Sequence, residues 1–204
     1  MSGWFSSWSR GRGTRPQSQL VCGSRKEVEL DRFLRMLPGL GTVLYLPASQ
    51  LRAWPIARPQ TGVVAESPLL LPLLHTRSLR VVTQIATSGP LEWLDCEDGV
   101  GQRLARIYLL PDSDYLSWDR ITAGEAAEDQ APGLSIRRWR PGAAILTGFR
   151  LRQLARVPLL SCSGYERLSG IGLRVAGDLA CRERVHLGAV SAPVQPLETT
   201  LLID

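Results

Sequence analysis

The chain has 204 residues, 44% hydrophobic and 21% charged, with a formal net charge of +5. That length and composition suit one domain with a real core and exclude a wholly disordered polymer. Two histidines and four cysteines, none in a CxxC or CxxxxC spacing, exclude a His-rich metal site and a zinc ribbon. No run reaches the ~20 apolar residues that a membrane-spanning helix requires.

Residues 1–23 read as a flexible basic arm, rich in Ser, Gly, Arg, Pro and Gln, with no lasting apolar period. Arg10, Arg12 and Arg15 supply positive charge, and the first acid is Glu27. Trp4, Phe5 and Trp8 fall at i, i+1, i+4, so one turn of helix gathers them as an anchor for a membrane or a partner. An acid-free, Arg- and Ser-rich terminus is also the composition of an organelle transit peptide. No apolar segment of secretory type follows the basic residues, so the expected setting is intracellular and reducing, cytoplasmic or peripheral to a membrane.

The domain is expected over residues 24–204. Ser24 and Glu27 have capping-box spacing, and Leu30, Phe33, Leu34 and Leu37 form an apolar stripe. Together they predict a helix over 25–37, ended by Pro38-Gly39. Strands are then predicted over 42–46, 62–65, 79–87, 91–96 and 103–110, with Gly89-Pro90 as a turn and Arg106 embedded in an apolar strand. A short helix follows from about Asp114 to Ile121. Further strands are predicted over 134–140, 143–150, 157–162, 184–190 and 197–203, while 170–177 fits neither pattern cleanly.

Charge along this body is sorted. Glu92, Asp95, Glu97, Asp98, Asp112, Asp114, Asp119, Glu125, Glu128 and Asp129 face only Arg103, Arg106 and Arg120 within 92–129. Residues 130–165 hold Arg137, Arg138, Arg140, Arg150, Arg152 and Arg156 and no acid. Aromatic-flanked arginines such as Arg137-Arg138-Trp139-Arg140 suit an anionic partner, because guanidinium pairs with phosphate and indole stacks. Arg150 and Arg152 extend the patch where neighbouring strands run antiparallel.

Asp112 and Asp114 are the candidate metal ligands. The run Ile107-Tyr108-Leu109-Leu110-Pro111-Asp112-Ser113-Asp114 resembles the Asp-x-Asp segment of nucleotide-sugar transferases over these eight residues, which implies a divalent cation at a strand end. The competing reading has Asp112 cap the helix that follows and places Asp114 in its first turn, near the positive end of the macrodipole. Asp119 lies about 140° further round a helix than Asp114, so the three do not form one compact site.

No phosphate loop, dinucleotide fingerprint or nucleophile elbow is present, and neither histidine sits in a catalytic pattern. The sequence therefore predicts a β-rich α+β domain with an antiparallel or mixed sheet behind the basic arm. This layout resembles that of many viral coat and matrix proteins. The expected function is non-enzymatic binding and assembly, with no cofactor. The arginines would contact nucleic acid or an anionic membrane surface, and the acidic block would meet an arginine block on another copy or subunit. The alternative is a divalent-metal-dependent transferase.

Overall fold

The computed structural model describes residues 21–49, 62–86, 89–123, 127–128, 139–165 and 168–189. The fold is α+β, a single domain built on a mixed sheet. The strands are β1 (Val21–Glu27), β2 (Gly41–Pro47), β3 (Val64–Ala65), β4 (Ser78–Ala86), β5 (Gly89–Glu97), β6 (Arg103–Ser113), β7 (Ala127–Glu128), β8 (Ala144–Leu154), β9 (Val157–Ser163) and β10 (Leu187–Ala189). Their order across the sheet is β3-β9-β8-β2-β6-β5-β4-β1-β7, with β10 lying parallel to β8. The helices are α1 (Leu30–Met36), α2 (Leu71–Leu74), α3 (Tyr115–Thr122) and α4 (Gly170–Arg182).

Both faces of the central strands are buried, which is why β2 reads as an unbroken apolar run rather than an alternation. One face carries Val43, Tyr45, Leu94, Ile107, Leu109 and Phe149 and packs against Phe33, Leu34, Leu37, Leu73, Trp118 and Ile121 of the first three helices and the turn after α1. Each of these large side chains contributes roughly 1.5–3 kcal/mol by leaving water. The other face carries Leu44, Leu46, Tyr108, Leu110 and Leu146 and packs against Ala176, Leu179 and Ala180 of α4.

The helix expected over 25–37 is corrected in its first third. Residues 21–27 form β1, paired antiparallel with β4 from Val21↔Gln84 to Glu27↔Ser78, and the helix begins only at Leu30. The capping-box spacing of Ser24 and Glu27 is a local signal. A seven-residue ladder with β4 outweighs it, and Lys26 reaches the carbonyls of Ile121 and Ala123 at the end of α3. The apolar stripe itself was placed correctly: Leu30, Phe33, Leu34 and Leu37 are all buried. β1 thus takes in residues 21–23 of the segment expected as arm.

Further differences are smaller. Gly89 and Pro90, expected as a turn, already belong to β5, with Gly89 at φ +116°. Residues 170–177, which fit neither pattern, open helix α4, and the strand expected over 184–190 shortens to β10. Residues 1–20, 134–138 and 190–204 lie outside the described residues, so the arm and two expected strands find no test there.

Candidate functional site

The acidic run at the end of β5 is not the solvated edge it suggests. Strand alternation puts Asp95 and Glu97 on the α4 face, where both are buried. Each meets arginine from a neighbouring strand. Arg106 on β6 grips Asp95 with Nε and Nη2 at 2.6 and 3.0 Å, and Arg103 adds a contact at 2.8 Å. Glu97 accepts from Arg80 Nε at 3.2 Å. Arg25 Nε lies 3.1 Å from the other Glu97 oxygen, an ion pair rather than an aligned hydrogen bond, since Arg25 donates to Ser78 Oγ.

Arg106 also reaches across the layers. Its Nη1 donates to Glu183 Oε1 at 2.7 Å and to the Tyr108 hydroxyl at 3.0 Å, and that hydroxyl donates to the same Glu183 oxygen at 2.5 Å. Glu183 is the C-cap residue of α4, so this network pins the end of the helix to the sheet. Trp93, Trp139 and Tyr108 lie 4.8–5.4 Å from the guanidinium carbon. The indole N–H groups of Trp93 and Trp139 are buried without a partner, so these rings serve through their faces. Burial opposes charge on Arg106, but Asp95 and its hydrogen bonds more than offset this and hold the guanidinium firmly protonated. Burial also raises the Glu97 pKa, against the opposing pull of Arg80 and Arg25. Sequence patterning flagged Arg106 as an arginine in an apolar strand; its partners lie 11 and 77 positions away and leave no local signal.

Asp112 and Asp114 serve two different helices. Asp112 accepts from the backbone N–H and the hydroxyl of Ser169, the N-cap of α4, both at 3.0 Å. Asp114 is the N-cap of α3 and accepts from Ser117 N at 3.0 Å. The expected cap is corrected: Asp114, not Asp112, caps α3, and Asp112 instead holds the start of α4, so each carboxylate sits at the positive end of its own helix. Among the described residues no three His, Cys, Asp or Glu side chains gather as metal ligands.

The acidic block is thus not a single outward pole. Asp95 and Glu97 are paired internally, Asp98 accepts from Val100 and Gln102 of its own turn, and Asp112 and Asp114 hold helix starts. A cavity of about 380 Å³ near the β5–β6 turn is lined by Arg25, Lys26, Arg77 and Asp98 among others. Its Arg25, Lys26 and Asp98 already bond to protein neighbours.

The arginine block fares differently. Arg137 and Arg138 lie outside the described residues, as do Arg10, Arg12, Arg15, Trp4, Phe5 and Trp8. Arg140, Arg150, Arg152 and Arg156 are exposed. The last three belong to the antiparallel hairpin of β8 and β9 and do not extend the Arg140 patch as expected, because Arg140 lies beyond the opposite end of β2. β8 pairs with β2 only over Ile145–Thr147, and beyond Gly148 it continues with β9 past the start of β2. Every residue from Arg152 to Val157 is exposed. Alternation sets Arg150, Arg152 and Leu154 on one face. Ala155 and Arg156 form the two-residue turn, both at positive φ (47° and 70°), as a type I′ turn requires.

No protein-family model matches the sequence, and neither does any curated protein. Among solved structures the chain is similar to the heme-degrading enzyme ChuS of Escherichia coli O157:H7, at 12% identity and a TM-score of 0.38, over 54% of this chain and 37% of that one. The chain spans little more than a third of that enzyme, and a likeness of this degree carries no argument about function.

Proposed function

We propose that this chain is a non-enzymatic binding protein that contacts an anionic partner through the β8–β9 hairpin. The observation that carries this reading is the hairpin tip, where Arg150, Arg152 and Arg156 are exposed in a stretch, residues 130–165, that contains no acid. The turn supports it. Non-glycine residues at positive φ cost of order 1 kcal/mol each, and Asn-Gly would fill the same turn without strain. The turn sets Arg156 at the outermost point of the hairpin, where it is exposed. The buried acids favour the hairpin over complementary-charge assembly, because Asp95 and Glu97 are turned inward.

An arginine at an anionic surface contributes about 1 kcal/mol, so three account for roughly a hundredfold in affinity. The test measures binding of the full chain to duplex DNA and to phosphatidylserine vesicles across a salt series, with wild type and R150Q/R152Q/R156Q. The expected result is binding to at least one polyanion that weakens steeply with salt and drops about a hundredfold in the triple variant. Thermal stability should stay close to wild type. Affinity that ignores salt, or a triple variant that binds as wild type does, overturns the reading.

A further inference from the structure

We infer that the anionic partner is a lipid bilayer surface, docked by one end of the sheet; this rests on the hairpin reading above and narrows it. The pairing register puts several features at that end. β2 begins there at Gly41 opposite Ser113, where β6 finishes, and the β8–β9 hairpin runs out past the same rim. β8, β2 and β6 are neighbours, so the hairpin and the end of β6 are separated by two strand spacings, about 10 Å. Both α3 and α4 start at this rim, joined by the hydrogen bonds of Asp112 to Ser169.

The first turns of these helices and the hairpin tip expose large apolar side chains. Leu116 and Tyr115 come from α3, Ile171 and Leu173 from α4, and Leu154 and Val157 flank the turn; Leu116, Ile171 and Leu154 are 72%, 65% and 63% exposed. Among the described residues, Val100 is the large apolar side chain exposed at the opposite end, in the β5–β6 turn. Aliphatic groups interleaved with arginines match a bilayer interface, where the first enter the acyl boundary while guanidinium pairs with phosphate. A nucleic-acid surface satisfies the arginines but buries aliphatic side chains only as single wedges between base steps, whereas six exposed apolar groups spread along one rim suit an extended interface. The carboxylates at this end include Asp112 and Asp114, held on helix N-termini, and Glu92, whose charge reaches Tyr115.

The experiment measures affinity for phosphatidylcholine vesicles with and without phosphatidylserine, and for duplex DNA. It uses wild type, L154S/V157S, L116S/I171S and R150Q/R152Q/R156Q, each checked for folding by circular dichroism. The expected result is vesicle binding that needs phosphatidylserine. Each apolar pair variant should lose about tenfold or more of that affinity while any DNA affinity is unchanged, and the arginine variant should lose both. Salt-dependent DNA binding without vesicle binding overturns the lipid inference and leaves the hairpin reading standing. Apolar variants that bind vesicles like wild type also overturn the inference. Absence of binding to either partner removes both readings.

Discussion

The four thiols separate sharply by environment. Cys22 and Cys181 are exposed, Cys162 is half-buried and Cys96 is fully buried beneath the first three helices. Burial raises the pKa of Cys96 well above that of a free thiol, with Asp95 adding to the shift. Burial raises that of Cys162 as well, against an opposing hydrogen bond to Thr147. The thiolate is the reactive form, so a disulfide reagent at neutral pH should modify Cys22 and Cys181 first, Cys162 slowly and Cys96 only after denaturant is added. Four thiols reacting together would contradict this packing. Arg156 carries a second prediction at this scale. At φ 70°, R156G should raise stability by about 1 kcal/mol in urea unfolding while lowering affinity for the anionic partner. A cysteine's environment is invisible in spacing, whereas an arginine in an acid-free run is plain in the sequence.

Among the elements, α4 depends most on distant residues. Its N-terminus sits on Asp112 and its C-terminus on Arg106 through Glu183. R106M removes the cation shared by Asp95 and Glu183 and should cost about 3–5 kcal/mol in denaturant unfolding, because Asp95 keeps only Arg103 in a buried site. E183Q should cost less, since Arg106 retains Asp95. At the other end, a Cβ on Gly172 would come within 1.9 Å of Asp112 Oδ2. G172A gains about 1 kcal/mol of helix propensity but must displace that carboxylate from Ser169, so a net loss of stability is expected. The end of α2 offers a pH test. Burial, then Arg77, lowers the pKa of His75 from its ordinary 6.5, so the unfolded chain binds its proton at higher pH than the folded one. Stability from this group is therefore present above about 6.5 and is lost as pH falls through the folded value. Relative to H75N, the wild-type melting temperature should drop over that window. The helix after β6 was legible to within a residue or two because capping is local, although its cap is Asp114 rather than Asp112. The Gly-rich opening of α4 was not, because its stability comes from the sheet beneath it.

At the scale of the molecule, charge and exposure sort into a buried ionic network on one sheet face and an arginine-rich, partly apolar end. Their separation predicts that binding and folding can be uncoupled. Replacing residues 153–158 with Asn-Gly joins Arg152 to Leu159, which are register partners of the same hydrogen-bonded kind as Leu154 and Val157, and preserves the packed base of the hairpin. This variant should keep a melting temperature close to wild type while vesicle binding falls. A collapse of stability would instead make the tip a structural element. The charge blocks of the sequence marked the arginines but not their places, since Arg140 lies beyond the end of β2 and Arg150, Arg152 and Arg156 beyond its start; they also misjudged the acidic side, because sign and spacing do not say which face of a strand is covered.

The sequence by itself determined the α+β class, most strand positions, the stripe of α1, the helix after Asp114 and the run of arginines without acids. All of these follow from interactions between residues a few positions apart. Only the tertiary structure decided that 21–27 pair as a strand, that Asp95 and Glu97 turn inward onto Arg106 and Arg80, and that helix starts and hairpin share one rim. Those outcomes rest on contacts between residues tens of positions apart, where burial and strand pairing outweigh what neighbours along the chain prefer.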